Sequence, residues 1–230
     1  MPRHLLLLSA SLLLLSCGGN NSGKSPVHTD TTVATQPAPP VSDTPVSGPD
    51  GVPIIANDLP RAIAGFVPEG YVVLDTSAGN LNLDAYPDMI LVLKETGEES
   101  KSTDIDKPVK RPLLILTGGA DGRYQLAGRN DNTVYCYSCG GMMGDPFTGV
   151  TIKNGYFSVE HYGGSSWRWT RIVTFKYSPE VRNWLLHKDG SESFNATDPE
   201  TVKTKVRTTK DFGTVPFWQF DIYAEDAEAD

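Results

Sequence analysis

Short apolar runs separated by turn residues constrain the fold of this chain more than any other feature. Runs such as 71–75, 89–93 and 112–116 are five residues long and rich in Val, Ile and Leu. Runs of this length and composition are typical of β-strands, and fully apolar ones suit central strands buried on both faces. Asn154-Gly155 between two such runs is a strong hairpin signal. The sequence therefore predicts a mainly β fold, with antiparallel sheets in a propeller-like or sandwich arrangement and one or two short helices.

The same pattern places the individual elements along the chain. Strands are expected over 71–75, 89–93, 112–116, 124–128, 133–137, 150–154, 156–160, 167–177, 183–187 and 217–223. A short helix is expected over 58–66, because Asp58 is a good N-cap and Pro60 is tolerated in a first turn. A second is expected over 198–208, which also begins with Asp and an early Pro. The charged segment 94–110 is expected to be a loop without core content.

The segment 18–25 matches G-x-x-x-x-G-K-S, the pattern of a phosphate-binding P-loop. A working P-loop needs a buried strand before it and a helix after it, so that backbone N–H groups converge on the phosphates. Here six prolines lie between Pro26 and Pro49, and proline breaks a helix interior. The match is therefore interpreted as accidental, and no nucleotide is expected.

The chain begins with a short basic segment and an apolar run, Leu5 to Leu15, which is the layout of a secretory signal peptide. The run is too short for a permanent membrane span, which takes about 20 apolar residues. The residues Leu14-Leu15-Ser16-Cys17 resemble the lipobox of bacterial lipoproteins. The alternative is an ordinary secretory signal with a nearby free Cys17.

The lipobox resemblance implies that residues 1–16 are a lipoprotein signal peptide and that Cys17 carries acyl chains such as palmitate. One chain binds a membrane only marginally, whereas two already anchor a protein stably. Gly18 follows the cysteine, and the lack of Asp there implies the outer membrane. The resemblance therefore predicts a protein anchored by lipid in the outer membrane and facing the periplasm.

Residues 18–51 contain no aromatic residue and are rich in Pro, Ser, Thr and Gly. A segment of this composition cannot bury enough apolar surface to order itself. Residues 17–51 are thus predicted to be the lipidated cysteine and a disordered tether. Residues 52–230 are expected to form a single β-rich globular domain, since that length suits one domain.

The formal net charge of the chain is −8, and the predicted signal peptide takes only one Lys or Arg with it. Nucleic-acid-binding proteins carry basic surfaces, so no nucleic acid is expected. A cationic protein, in contrast, would be attracted to an acidic chain.

Cys136 and Cys139 form a C-x-x-C pair followed by two glycines. An exported location permits disulfides, so a structural disulfide between these two is the main prediction. A redox site of the thioredoxin type would place the pair at a helix start near a βαβ unit. Zinc would need four ligands, and no second Cys/His pair has suitable spacing.

Oxygen-bearing side chains alternate between residues 80 and 88. Calcium takes six to eight oxygen ligands, and a tight loop can supply them from alternate residues. The expected ligands are Asn80, Asn82, Asp84, the Tyr86 carbonyl and Asp88. The segment resembles the calcium loops of FG-GAP repeats in propellers, although Asn80 and Ala85 replace an Asp and a Gly of that pattern. The prediction is a weak, structural calcium site, and the alternative is a metal-free turn rich in Asn and Asp.

The strand predicted over 167–177 alternates clearly. Trp167, Trp169, Arg171, Val173, Phe175 and Tyr177 share one face. That face is interpreted as a core face, and the alternative is a stacking or sugar-binding surface.

Few groups of residues in the sequence have the composition of a catalytic site. His161 and Ser165 could form a nucleophilic pair, but Ser165 lacks the G-x-S-x-G elbow. Nothing in the sequence selects a converging pair of carboxylates. The chain is therefore expected not to be an enzyme, with an unrecognised site near His161 and Ser165 as the alternative.

The whole layout is similar to uncharacterised Gram-negative envelope lipoproteins. It carries a lipobox, a tether, one FG-GAP-like loop, and a glycine-punctuated β segment over 149–169. It also distantly resembles propeller-like lipoprotein immunity proteins that inhibit lysozyme-like effectors of type IV secretion. The resemblance implies a non-enzymatic, protein-binding lipoprotein that inhibits a cationic cell-wall hydrolase. A structural envelope lipoprotein is the remaining alternative.

Overall fold

The computed structural model describes residues 61–101 and 107–224, which form two antiparallel sheets. Each sheet runs in chain order, with β1 to β4 in the first and β5 to β9 in the second. The strands are β1 Tyr71–Gly79, β2 Asp88–Glu95, β3 Arg111–Gly118, β4 Tyr124–Val134, β5 Phe147–Lys153, β6 Tyr156–Gly164, β7 Trp167–Ser178, β8 Asn183–Asn195 and β9 Asp198–Thr208. Three short α-helices are α1 Arg61–Ala64, α2 Glu98–Lys101 and α3 Thr209–Phe212, and two 3₁₀ segments are Tyr137–Met143 and Phe217–Gln219.

This architecture confirms the prediction of a mainly β fold with antiparallel sheets and short helices, and it is consistent with a sandwich. The predictions for the signal peptide, the lipidated Cys17, the tether and the Asp58 cap lie outside the described residues. Within the part of the chain described, no helix is long and apolar enough to cross a membrane.

The two sheets share one apolar core. Inward side chains of β2 and β3 meet those of β6 and β7, namely Ile90, Val92, Leu113, Ile115, Phe157, Val159, Val173 and Phe175. Phe157 and Phe175 stack with their ring centroids 4.9 Å apart. Each such side chain contributes about 1.5–3 kcal/mol by leaving water.

The first sheet is also covered on its opposite face. Leu91, Leu93, Leu114 and Leu116 pack there with Ile63 of α1. The strands β2 and β3 are therefore buried on both faces, as their uninterrupted apolar runs predict.

The helix predicted over 198–208 is wrong, because this segment is the edge strand β9, paired with β8. Its Thr and Val residues alternate with lysines, and β-branched side chains favour strands over helices. The register along β8 gives each of these residues a cross-strand partner, which outweighs the Asp-Pro start signal.

Two predicted strands also differ from the structure. The strand expected over 133–137 ends at Val134, and the chain then enters the 3₁₀ segment that holds the cysteines. The segment 217–223 is not a strand, because its side chains fill the open end of the core instead of joining a ladder. Phe217 packs edge-on against Phe157 and Phe175, and the Asn130 side chain donates to the Phe217 and Phe220 carbonyls.

The segment 94–110 was expected to lack core content, and this is wrong for its described residues. Glu98 of α2 is fully buried. It accepts hydrogen bonds from the equally buried Arg111 at the start of β3. A buried arginine needs a carboxylate partner, so this charged segment supplies part of the core.

Candidate functional site

The inner face of β7, β8 and β9 continues beyond the apolar core and changes its chemistry. On β7 the inward residues pass from Val173, which is buried, to Arg171, Trp169 and Trp167. The side chains at this end enclose a groove of about 210 Å³. We call it the basic groove; it is lined by Trp169, Thr170, Arg171, Asp189, Ser191, Lys205 and Arg207.

Strand register brings these residues together from three parts of the chain. Arg171 lies opposite Ser191, which lies opposite Lys205. In the next row Asp189 lies opposite Arg207. Directly opposed residues of antiparallel strands project to the same face, so both rows lie on the inner face.

Two arginines of the basic groove share one carboxylate. Arg171 donates from Nε and Nη2 to the two oxygens of Asp189, at 3.1 and 2.8 Å, and Arg207 donates to Asp189 Oδ2 at 2.6 Å. Burial raises the pKa of Asp189, but the hydrogen bonds and charges of both arginines outweigh it and hold this pKa below its usual value. Arg171 and Arg207 both line the basic groove.

Tyr135 supports this trio from the end of β4. Its hydroxyl accepts a hydrogen bond from Arg171 Nη1 at 2.7 Å. The same nitrogen donates to the Ile222 carbonyl at 3.2 Å, so the C-terminal segment also fixes the arginine. The Tyr135 ring lies edge-on to Trp169 and to Tyr223, with centroids 5.7 Å away in each case.

Trp169 and Trp167 add an aromatic surface beside the charges. A Cβ on Gly163 would lie 2.5 Å from the Trp169 ring, so only glycine leaves room for the ring on β6. Trp169 is therefore held between Gly163 and Tyr135. Trp167 is 50% exposed, and the Lys203 ammonium lies 5.4 Å from its ring centroid. The predicted alternation of this strand is correct, but the face is core only from Val173 onward.

A second arginine network lies nearby and is closed. Arg111 donates to Glu98 and, at 2.7 and 2.6 Å, to the two oxygens of Asp145. The Arg111 and Glu98 side chains are both fully buried. Arg111 Nη1 also donates to the Tyr135 carbonyl at 3.3 Å, so Tyr135 touches both networks. Although burial opposes it, these two carboxylates raise the pKa of Arg111 above its usual value.

His161, the candidate base, is buried between the networks. Its Nε2 accepts a hydrogen bond from the Tyr135 N–H at 3.2 Å, and its ring lies edge-on to Tyr135. Burial lowers its pKa to about 3, and the charges of Arg171 and Arg111 act in the same direction. Ser165 is exposed in the turn after β6, where its N–H donates to the Trp167 carbonyl. The Nε2 lone pair of His161 is thus taken by a backbone N–H.

The predicted calcium residues form one tight loop between β1 and β2. Asp88 is buried, and its oxygens accept hydrogen bonds from the N–H groups of Leu81, Asn82 and Gly118. The other side-chain oxygens accept from the loop itself: Asn80 from Leu83, Asn82 from Asp84 and Asp84 from Tyr86. A cation would have to share these oxygens with the backbone or displace it, and calcium binding here stays a prediction.

Within residues 61–101 and 107–224, no group of three or more His, Cys, Asp or Glu side chains is arranged to hold a metal ion. The Asn80–Asp88 loop has only two carboxylates, so this finding does not test it.

Cys136 and Cys139 are joined in a disulfide at the start of the 3₁₀ segment Tyr137–Met143. The preceding strand belongs to an antiparallel sheet, so the surroundings differ from a thioredoxin-type βαβ unit. The segment packs on β6, where Gly140 lies against Gly163 beneath Trp169. The disulfide therefore closes a turn that supports one wall of the basic groove.

Sequence reasoning missed the basic groove because it predicted a helix over 198–208. Lys203, Lys205 and Arg207 would spiral around a helix, whereas on a strand they share one face. The signal was present in the alternation of Lys203, Lys205 and Arg207 with Thr204 and Val206. Comparison with known proteins adds nothing to this site, since no family model, curated protein or solved structure matches the chain.

Proposed function

We propose that this chain is a lipid-anchored, periplasm-facing lipoprotein of the outer membrane and acts as a non-enzymatic binding module. The surface that the partner presents to this chain is anionic, and that surface docks on the basic groove. The observation that carries the proposal is the set of basic side chains lining one groove, Arg171, Lys205 and Arg207. An anionic group on the partner would form charge-assisted hydrogen bonds with these side chains.

The distribution of charge along the chain supports this proposal. Residues 167–210, which form β7 to β9 and the start of α3, contain nine Lys or Arg and five Asp or Glu. The chain as a whole has 20 Lys or Arg and 28 Asp or Glu. A basic face on an acidic protein selects an anionic partner locally, while the rest of the molecule repels anions and so limits unspecific binding.

A binding role also fits the buried histidine better than catalysis does. A general base must be reachable and must titrate near the working pH. His161 is 2% exposed and stays neutral down to acidic pH because burial lowers its pKa to about 3. Its contacts with Tyr135 instead support the wall of the groove.

Retention on an anionic matrix tests the proposed binding face. We expect the purified protein to bind immobilised dextran sulfate at low salt despite its net charge of −8. Lys205→Glu should abolish retention, whereas Lys153→Glu, the same charge change at an exposed site on β5, should leave most of it. Equal loss in both variants would show that net charge alone governs binding, and the proposed face would be rejected.

The anchor is tested separately on the intact cell. We expect the native chain to incorporate labelled palmitate and to be recovered in the outer-membrane fraction. Cys17→Ser should lose both the label and the recovery in that fraction. An unlabelled native protein would reject the anchor and leave the groove unaffected.

A second candidate is the inhibition of a cationic cell-wall hydrolase such as a lysozyme-like enzyme. The observation that favours it is that 23 of the 28 acidic residues lie outside 167–210. This partner would bind a face other than the basic groove. Titration of the purified protein against a panel of muramidases tests it, with inhibition that survives Lys205→Glu as the expected result.

A further inference from the structure

We propose that the outer face of the second sheet binds a short apolar peptide with free termini. This face carries a trough of about 290 Å³ between β7 and β9. We call it the outer trough: Ile172 and Val206 form its walls, Gly190 its floor, and Lys188 and Glu192 its two ends. None of these five residues lines the basic groove, so the site is separate from the proposed function.

Strand register builds the outer trough. Ile172 lies opposite Gly190, which in turn lies opposite Val206. Because Gly190 has no side chain, the middle strand is recessed between two apolar side chains that are 42% and 49% exposed. The nearest atom to a Cβ on Gly190 would be the Lys188 Cε, at 3.6 Å, which is an ordinary contact. The packing of the fold therefore has room for a larger residue at the floor, and the recess is open to a ligand.

The two ends of the outer trough carry opposite charges. Lys188 and Glu192 lie four residues apart on β8, so their Cα atoms are about 13 Å apart. Both side chains are exposed, and within residues 61–101 and 107–224 neither takes part in an ion pair. A carboxylate at Lys188 and an ammonium group at Glu192 would each form a charge-assisted hydrogen bond.

Hydroxyl groups lie beside the acidic end. Thr170 and Thr204 both lie opposite Glu192, and both line the outer trough. A hydroxyl both donates and accepts hydrogen bonds, which matches the N–H and C=O groups of a peptide. The neighbouring carboxylate of Glu160 lies beyond the Ile172 wall and is hydrogen-bonded to β5. Glu192 is therefore the carboxylate that faces a ligand in this trough.

Length and volume select the ligand. An extended peptide advances about 3.3–3.6 Å per residue, so three residues span about 10 Å. The Lys188 side chain leans over Gly190, which shortens the space between the two charged ends. The volume of about 290 Å³ lies at the lower limit of the 300–1,000 Å³ that is usual for small-ligand pockets. The ligand is thus an apolar tripeptide, with its carboxylate at Lys188 and its ammonium group at Glu192.

NMR titration of the isotope-labelled protein tests this site. We expect Ala-Val-Ala to shift the amide resonances of Gly190 and Ile172 in a saturable way. Its acetylated and amidated forms each lack one terminal charge, and each should bind at least threefold more weakly. Triglycine keeps both charges but has no apolar side chain, so it should also bind at least threefold more weakly.

Two charge variants locate the termini. Lys188→Gln should weaken binding of Ala-Val-Ala at least threefold and leave binding of the amidated peptide unchanged. Glu192→Gln should weaken Ala-Val-Ala equally and leave the acetylated peptide unchanged. Lys153→Gln is the matched control, because this exposed lysine on β5 lies outside the outer trough.

Gly190→Val tests the recess itself. A valine suits a strand and fills the floor, so binding of Ala-Val-Ala should fall at least tenfold with an unchanged melting temperature. If this variant does not fold, the two charge variants decide alone. The proposal is overturned if Ala-Val-Ala shifts no resonance of the outer trough, or if its affinity is the same in the native chain, Lys188→Gln and Glu192→Gln.

Discussion

The two arginine networks at one end of the sandwich use the same chemistry in opposite ways. Arg111 has two carboxylates, Glu98 and Asp145, and its side chain is fully buried. In the other network Arg171 and Arg207 share one carboxylate, and their side chains are 16% and 28% exposed. The arginine of the first network is thus enclosed, whereas both arginines of the second reach the surface.

The difference lies in how far each network is enclosed. A buried arginine is tolerated only when its partners surround it, so the Arg111 network is complete in itself. The Arg171 network is partly exposed and opens into the basic groove. Tyr135 touches both, through its carbonyl and its hydroxyl, so the closed network positions a side chain of the open one.

The largest expected effect comes from Arg111→Met. Removing the guanidinium leaves Glu98 buried without its partner, which costs about 3–5 kcal/mol in the free energy of unfolding. Urea denaturation measures this loss. Arg123→Met is the control, since its ion pair with Asp121 is largely exposed. A loss no larger than the control's would show that the Arg111 network does not stabilise the fold.

His161→Gln tests the residue that lies between the two networks. The pKa of His161 is about 3 in the folded chain against an ordinary value of 6.5. Because the folded pKa is depressed, the unfolded state binds the proton first. Stability is therefore complete above pH 6.5 and falls by about 1.4 kcal/mol per pH unit as the pH drops toward 3.

We expect His161→Gln to remove this component, or about 2 kcal/mol between pH 6.5 and 4.5. Glutamine keeps an acceptor for the Tyr135 N–H, which limits other damage. Urea denaturation across this pH range measures the slope, with His187→Gln, an exposed histidine, as the control. The same slope in wild type and His161→Gln would contradict the assignment.

Arg207→Gln tests the open network directly. Asp189 keeps both hydrogen bonds from Arg171, so the loss of stability should stay below about 1 kcal/mol. Binding of the anionic matrix should weaken about fivefold, since one of the groove cations is removed. A loss of stability as large as that of Arg111→Met, with unchanged binding, would make the two networks alike and remove the reason for placing a ligand here.

The strands of the first sheet could be predicted because their signal is local. Uninterrupted apolar runs such as 89–93 and 112–116 can only be satisfied by burial on both faces, and both strands are central. The basic groove could not be predicted in this way. Its residues are separated by up to 38 positions, from Trp169 to Arg207, and meet only because of the register of β7, β8 and β9.

The predictions for the charged segment before β3 and for the aromatic segment 217–223 were wrong for a related reason. Glu98 is buried because Arg111 is buried, and no local pattern reveals that pairing. Phe217 resembles a strand residue by composition, but the side chain of Asn130 takes the carbonyl that a ladder would use. Sequence patterns report local conformation, whereas polar pairs across the core depend on the assembled fold.

Calcium addition tests the Asn80–Asp88 loop, the site that spacing alone suggests. With only two carboxylates, the expected affinity lies in the millimolar range of extracellular modules. Binding to the folded state would then add about 1 kcal/mol to the free energy of unfolding at 5 mM calcium. We expect Asp84→Asn to remove this gain and Asp121→Asn, in another surface turn, to keep it. No gain in the native chain would show that the oxygens stay with the backbone N–H groups.

The smallest expected effect concerns the acidic C-terminus. Residues 225–230 contain four acidic residues, and the chain reaches them only three residues after Ile222, whose carbonyl accepts from Arg171. A negative charge near a basic groove competes with an anionic ligand. Replacing all four by Asn and Gln tests this competition, and the expected result is about twofold tighter binding of dextran sulfate at 0.01 M salt.

Salt separates this local effect from any change in the fold. The screening length is about 30 Å at 0.01 M and about 8 Å at 0.15 M, so the twofold gain should shrink at the higher concentration. The same variant should not change the stability of the Arg111 network, which is buried and complete. A gain that persists at 0.15 M salt would contradict a screened, long-range effect and would mean that these residues contact the groove directly.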